Sequence, residues 1–247
     1  MTVKPIKTKK IVSGDRFFDI LDEFVPQIQE GSVLAITSKI LAICQGRIAK
    51  IKDTEKINLI KKESDYYIDP TDSKYGIVIT VKDNFMVATA GIDESNGNGY
   101  YVLWPSDLQD WANKIKKYLK EKYNLKNFGV IITDSKTTPL KKGTTGFCIA
   151  HSGFFALKNY IDKPDIFGKQ MHVTEANHAE GLAAAAVLIM GEGDEQTPLA
   201  ILNDLEFIAF NDNDPEKEEL DHLNIALEED LYYPILKNAN WIKGENH

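Results

Sequence analysis

The chain has 247 residues, 43% of them hydrophobic and 27% charged, with a formal net charge of −8. That length buries a substantial core, as one large domain or two small subdomains, and the acidic balance excludes a general binder of nucleic-acid backbone. The longest apolar run, LAAAAVLIM, is about half of what a membrane span needs, so no membrane partner is expected.

In chain order, the basic N-terminus has no apolar stretch behind it of the kind a signal peptide carries, which points to a cytoplasmic protein. Phe17, Ile20, Leu21, Phe24, Val25 and Ile28 recur at helical spacing behind Asp15 as N-cap, with Pro26 and Gly31 closing the helix. SVLAIT is a short buried strand that delivers Thr37, Ser38 and Lys39 at its end. KINLIKKESDYY is a weaker helical stretch. GIVITV and FMVATA read as strands of a hairpin turning through Lys82, Asp83 and Asn84. Ser106 and Gln109 have capping-box spacing, with Asp107 and Asp110 in the first turn of a helix running to about Tyr123.

FGVIIT is another buried strand, ending in Asp134 and Ser135, and GFCIAH is one more. TEANHAEGLAAAAVLIM reads as a long Ala-rich helix, followed by the loop GEGDEQTP and the strand LAILND. Beyond Asn211 comes an acidic loop and an amphipathic helix. The order is mixed α and β without a clean βαβ alternation, divided into a main domain over 1–210 and an acidic, helical extension over 211–247. Cys44 and Cys148 lie far apart in apolar surroundings, as small core hydrophobes of a reducing compartment.

Three of these segments deliver polar groups in the same way. VATAGIDESN brings Asp93, Glu94, Ser95 and Asn96, VIITDS brings Asp134 and Ser135, and VLIMGEGDEQT brings Glu192, Asp194 and Glu195 on a glycine-bearing loop. Ligand sites in sheet-based folds gather at the carboxyl ends of strands. Carboxylates meeting there repel unless a cation lies between them, and an all-oxygen set suits Mg²⁺ or Mn²⁺. Each segment taken singly also reads as a solvated turn. A nucleotide is the natural companion of such a metal, yet neither G-x-x-x-x-G-K-[ST] nor G-x-G-x-x-G occurs. Phosphates would fall to Lys39, hydroxyls and glycine-loop amides.

Other candidates are weaker. His151 has no triad partner at recognisable spacing, and Glu175-Ala-Asn-His178 is a single copy of a motif that di-metal bundles need twice. The lysines of NKIKKYLKEKY read as a solvated helix face, and DNDPE lacks the glycine and final glutamate of a calcium loop.

GSVLAITSKILAICQGR, VATAGIDESN, GVIITDS and PDIFGKQMHVTEANHAEGLAAAAVLIMGEG stand in the order and approximate spacing of the coenzyme F420-0:L-glutamate ligases, which the chain resembles from about Gly14 to Leu202. A bacterial branch described as folate-metabolism γ-glutamate ligases is similar too. The resemblance implies a family-specific α/β fold of two intertwined subdomains, homodimeric. It also implies attachment of L-glutamate to a carboxylate acceptor with GTP or ATP and two divalent ions, Mg²⁺ or Mn²⁺, through an acyl phosphate.

Carried over by motif, Asp93 and Asp134 would hold one metal, and Ser135 and Glu192 a second. Ser38, Lys39, Asn96 and the loop Met190, Gly191, Glu192, Gly193 to Thr197 would contact the nucleotide, and an N-terminal contact aligns with Lys9–Val12. Asp93, Asp134 and Lys39 would be catalytic. The chain departs from the family at Ile43, where a second lysine is usual. In DSKTTPLKKGTTG the family's arginine, tryptophan and later aspartate become Thr138, Leu140 and Gly146. These departures point to an acceptor other than F420-0. A homologue that binds nucleotide without turnover, and a metal-dependent nucleotide phosphohydrolase, are the competing expectations.

Overall fold

The computed structural model describes residues 1–25 and 27–246; the helix-closing role expected of Pro26 falls outside them. From the N-terminus the chain runs through β1 (Thr2–Ile6), α1 (Phe17–Phe24), β2 (Ser32–Thr37), α2 (Ser38–Gln45), β3 (Ile48–Lys50), α3 (Lys56–Glu63), β4 (Tyr66–Tyr67), β5 (Ile79–Lys82), β6 (Phe85–Ala88) and β7 (Tyr100–Val102). It continues through α4 (Leu108–Tyr123), β8 (Phe128–Thr137), β9 (Thr144–Ser152), β10 (Leu157–Asn159), β11 (Glu175–Asn177) and α5 (His178–Met190). The last elements are β12 (Leu199–Asn203), α6 (Lys217–Leu223), α7 (Tyr233–Leu236) and β13 (Ile242–Lys243).

The unbroken apolar runs of β2 and β8 are explained by a sheet covered on both faces. Its order is β1-β12-β2-β8-β9, with β2 and β8 parallel and the other pairs antiparallel. Successive side chains of a strand point to opposite faces. Leu34 and Ile36 of β2 therefore pack with Leu21 of α1, Leu41 of α2 and Ile115 and Leu119 of α4. Val33 and Ala35 pack instead with Leu182, Ala183 and Ala186 of α5. The alanines of α5 let the helix lie close on the sheet.

A second sheet, β13-β4-β5-β6, is antiparallel throughout and shares a smaller core with α3 and the ribbon β3-β7, centred on Ile60, Tyr67, Val78, Ile92, Tyr101 and Leu103. The expected hairpin is present as β5-β6. Asp83 and Asn84 both take positive φ, at 49° and 65°, as a two-residue turn between right-twisted strands demands. The architecture is thus mixed α and β, and among the described residues no helix is long and apolar enough to cross a membrane.

Several expectations are corrected. Asp15 does not cap α1: its carboxylate accepts from Lys9 Nζ at 2.6 Å and Val12 N at 2.9 Å, and Arg16 holds the cap position without a side-chain bond. That helix ends at Phe24, so Ile28 reaches the core from a loop. The capping box before α4 does not form either. Ser106 N–H donates to Gln45 Oε1 and Gln109 Nε2 to the His151 carbonyl, so tertiary partners outcompete the local ones. The α4 lysines are not a uniformly solvated face, because Lys116 is buried against Asp214 at 2.7 Å and Lys120 pairs with Asp212.

The Ala-rich helix starts only at His178, capped by the Asn177 side chain on Glu180 N at 3.0 Å. Glu175–Asn177 is instead a strand paired with β10. Strand β8 does not stop before Asp134: after an irregularity between Ile132 and Thr133, Asp134–Thr137 pair with Thr144–Phe147 of β9. In place of one C-terminal helix there are α6, a short 3-10 turn and α7, and β13 then joins β4.

Candidate active site

A cavity of about 570 Å³ opens at the end of β2, beside Thr133–Ser135 within β8, the end of α5 and the loop before β7. Of the residues singled out in the sequence, Lys39, Asp93, Asn96, Asp134, Ser135, Met190, Gly191, Glu192, Gly193 and Thr197 all line it. Ser38 does not; it is buried at the start of α2, and Thr37 and Lys39 face the cavity on either side of it. Segment 9–12 also reaches the wall, together with Ile40 and Ile43 of α2 and Val187 of α5. The resemblance marked the Ile43 position, where a second lysine is usual, but nothing marked Ile40, because a short apolar run reads as core.

The Asp93 loop is held by short-range geometry. Thr89, Ala90 and Asn96 take positive φ, at 55°, 52° and 56°, and Gly91 does so at 71°, a region costly for residues with a Cβ. Such strain is held by the contacts around it. Asp93 N and O pair with Val102, and Ser95 N–H and Oγ–H donate to the Asp93 carboxylate at 2.9 and 2.7 Å. Lys39 Nζ completes the cluster, donating to Asp93 Oδ2 at 2.6 Å, Ser95 Oγ at 2.9 Å and Ser95 O at 3.0 Å. Burial pushes the Asp93 carboxyl up, but the Lys39 ammonium and the Ser95 donors outweigh it and hold it at about 2.

Asp134 sits on β8 in different surroundings. Burial pushes its carboxyl up to about 6, against the Ser135 N–H at 2.8 Å, the Trp104 indole N–H and the more distant Lys39 charge. The next side chain along the strand faces another partner: Ser135 Oγ–H donates to Glu192 Oε2 at 3.2 Å. The glycine loop is tied to the Asp93 loop by Asn96 Nδ2, which donates to the Gly193 carbonyl at 2.9 Å. Gly191 has φ of 82° and ψ of 169°, a backbone conformation open essentially to glycine alone, so only glycine closes this turn.

Among the described residues, no three His, Cys, Asp or Glu side chains are gathered as a ready-made metal cage. The donor chemistry nevertheless fits a hard cation. Asp93, Asp134, Ser135 and Glu192 offer only oxygen to one cavity, and the Lys39 ammonium already sits against Asp93 as a positive charge. Glu175 and His178 take no part: Glu175 lies 3.2 Å from His222, and the His178 ring stands edge-on to Phe207. Buried His151 approaches Glu219 of α6, away from the cavity.

Residues 5–204 match the sequence pattern of a family described as F420-0:gamma-glutamyl ligase. The coenzyme F420:L-glutamate ligase of Methanocaldococcus jannaschii is 32% identical over 199 residues, covering 74% of this chain and 80% of that protein. The protein of the same name from Methanosarcina mazei is 32% identical over 222 residues, covering 83% and 86%. That from Methanopyrus kandleri is 27% identical over 224 residues, covering 83% and 87%.

Proposed function

Because the chain belongs to the F420-0:gamma-glutamyl ligase family, we propose that it is an NTP-dependent ligase joining the amine of L-glutamate to the carboxylate of a small acceptor. The observation that carries this reading is the convergence of Lys39, Asp93, Asn96, Asp134 and the 190–197 loop on one cavity. A carboxylate and an amine do not condense at neutral pH, since the departing oxygen is a poor leaving group. In the proposed reaction an acceptor carboxylate oxygen attacks the γ-phosphorus of GTP or ATP. The bond to the β-phosphate oxygen breaks and the nucleoside diphosphate leaves. The glutamate nitrogen then attacks the acyl phosphate carbon, the C–O bond breaks, phosphate departs and the nitrogen loses a proton.

The residues contribute position and charge, with no covalent nucleophile. Lys39 exchanges Asp93 and Ser95 for phosphate oxygens. Asn96 and the amides around Gly191 and Gly193 hold the triphosphate, while Ile40, Ile43 and Val187 receive the base. One or two bound Mg²⁺ or Mn²⁺ ions, which Asp93, Asp134, Ser135 and Glu192 would hold, would supply neutralisation of charge on the triphosphate and the attacking carboxylate.

The acceptor differs from F420-0 in this reading. Thr138–Gly143 form the tip between β8 and β9, with Leu140 fully exposed. A Cβ on Gly146 would lie 2.5 Å from Val187 and 2.6 Å from the Ala183 carbonyl, so the aspartate that the resembled family carries there has no room. A homodimer with intertwined subdomains belongs to the same reading, supported by the exposed Leu188 on α5 and Ile166 and Phe167 beyond β10. The main domain and the 211–247 extension are likewise proposed as its functional division.

Phosphate release from ATP and GTP with Mn²⁺ or Mg²⁺, with and without L-glutamate and over a panel of carboxylate acceptors including F420-0 and folates, tests the reading. Release that needs both glutamate and an acceptor supports it. Turnover indifferent to both identifies a phosphohydrolase. Nucleotide binding without turnover across the panel identifies a non-catalytic homologue.

A further inference from the structure

Trp104 touches the segments that carry Asp93 and Asp134, yet it does not line the cavity. It is 1% exposed and among the largest fully buried side chains. Its indole N–H donates to Asp134 Oδ2. Gly91, two residues before Asp93, lies flat against the same ring edge: a Cβ there would stand 2.0 Å from Trp104 Nε1 and 2.4 Å from Cε2. Only a hydrogen fits, so the backbone leading to Asp93 is seated directly on the indole.

The ring is fixed from its other sides. Phe85 meets it edge-on at 5.8 Å between centroids, and Phe147, opposite Asp134 on β9, lies at 6.2 Å. Arg47 Nε donates to the Trp104 carbonyl at 3.0 Å, and Arg47 is in turn anchored by Glu63 at 2.6 Å. A buried indole N–H needs an acceptor, and a carboxylate that accepts from a rigid donor has one oxygen direction fixed.

We propose that Trp104 is a positioning residue whose indole sets the orientation of Asp134 and its separation from Asp93, and through them the affinity of the site for a divalent cation. The inference rests on the reading of Asp93 and Asp134 as cation-holding groups. It predicts an effect from a residue that meets neither substrate nor ion. Trp104→Phe keeps an aromatic ring in the core and removes the donor. Nucleotide contacts at Asn96 and the 190–197 loop are untouched by it.

The expected result for W104F is a dissociation constant for Mn²⁺ alone raised about tenfold, as loss of an outer-shell partner does, and a kcat lowered to a similar degree. The KM for nucleotide stays within twofold of wild type, a split that general loss of folding would not give. Incorporation of 5-fluorotryptophan supplies a second readout that needs no Trp104 variant, because the chain has three tryptophans. With the resonances assigned through W111F and W241F, D134N shifts the Trp104 fluorine signal and leaves the other two in place.

W104F that binds Mn²⁺ as wild type does would overturn the inference while leaving the cation site standing. A Trp104 signal that D134N does not move would overturn it also, even if W104F cannot be folded. Wild-type protein that takes up no Mn²⁺, alone or with nucleotide, removes the cation reading itself and this inference with it.

Discussion

Two aspartates meet in one cavity by opposite means. Asp93 sits on an irregular loop of positive φ angles, where Lys39 and Ser95 surround its carboxylate and hold it at about 2. Asp134 sits within a strand, just past its irregularity at Ile132 and Thr133, where burial beside Trp104 and Phe147 pushes its carboxyl up to about 6. The loop stabilises negative charge with a neighbouring cation. The strand withholds solvent and leaves the charge short of compensation until one is supplied from outside. A site built this way is partly self-satisfied on one side and unsatisfied on the other, an arrangement that the proposed cation would complete.

The largest expected effect tests the unsatisfied side. Asp134→Asn keeps the shape but removes the charge that the Trp104 indole N–H faces, and ligase turnover should fall by about 10²–10³-fold, the range for losing one group that stabilises developing charge. Asp93→Asn leaves Ser95 Oγ as an adjacent oxygen and should cost about tenfold less. Steady-state phosphate release on the two variants under saturating nucleotide decides it. Equal losses would break the distinction between loop and strand.

Lys39 sharpens the comparison from the other side. An ammonium has three donors, and all three are engaged with Asp93 and Ser95, so Lys39 must release them before it can hold a phosphate. Lys39→Met should raise the KM for nucleotide about 10–100-fold, the worth of one charge-assisted hydrogen bond. The same change vacates Asp93, so Mn²⁺ without nucleotide should bind at least as tightly as to wild type. Parallel titrations with nucleotide and with Mn²⁺ check both halves. Weakened Mn²⁺ binding would show that Lys39 supports the carboxylate geometry rather than competing with a cation.

The sequence made Lys39, Asp93, Asp134 and Glu192 legible because each follows an apolar run in a short polar cluster. What it hid was tertiary. Nothing in YVLWPSD separates Trp104 from an ordinary core residue, since its partner Asp134 is thirty positions away. Helix α2 follows β2 without a connecting residue, and its run from Ile40 to Cys44 is too short to show a helical period. The second half of β8 is polar, so its strand character comes from pairing with β9 and not from alternation. Asp15, Ser106 and Gln109 carried the right local signals, but Asp15 turned back to Lys9 and Val12 just before it, and Ser106 and Gln109 were claimed by Gln45 and His151 elsewhere in the fold.

The smallest predicted effect is on stability, where the two carboxylates should act with opposite sign. The Asp134 carboxyl titrates at about 6 in the folded chain against 3.8 unfolded, so the folded state binds the extra proton. Its contribution is fully present below pH 3.8, declines as pH rises towards 6, and above that is a cost of at most about 3 kcal/mol. Asp134→Asn should therefore raise the unfolding temperature of the metal-free protein at pH 7.5, by roughly 5 °C for a chain of this length, and change little at pH 4. Asp93 is held at about 2, so its contribution is present above pH 3.8 and is lost as pH falls towards 2. Asp93→Asn should lower the midpoint at pH 7.5. Excess Mn²⁺ should reverse the ranking of wild type and Asp134→Asn, because an ion that binds only the folded form adds stability by mass action and the variant holds it less well. Thermal melts at the two pH values, with and without Mn²⁺, give the four comparisons. A stabilised Asp134→Asn that remains the more stable protein in Mn²⁺ would mean that the cost carried by the strand serves no cation at all.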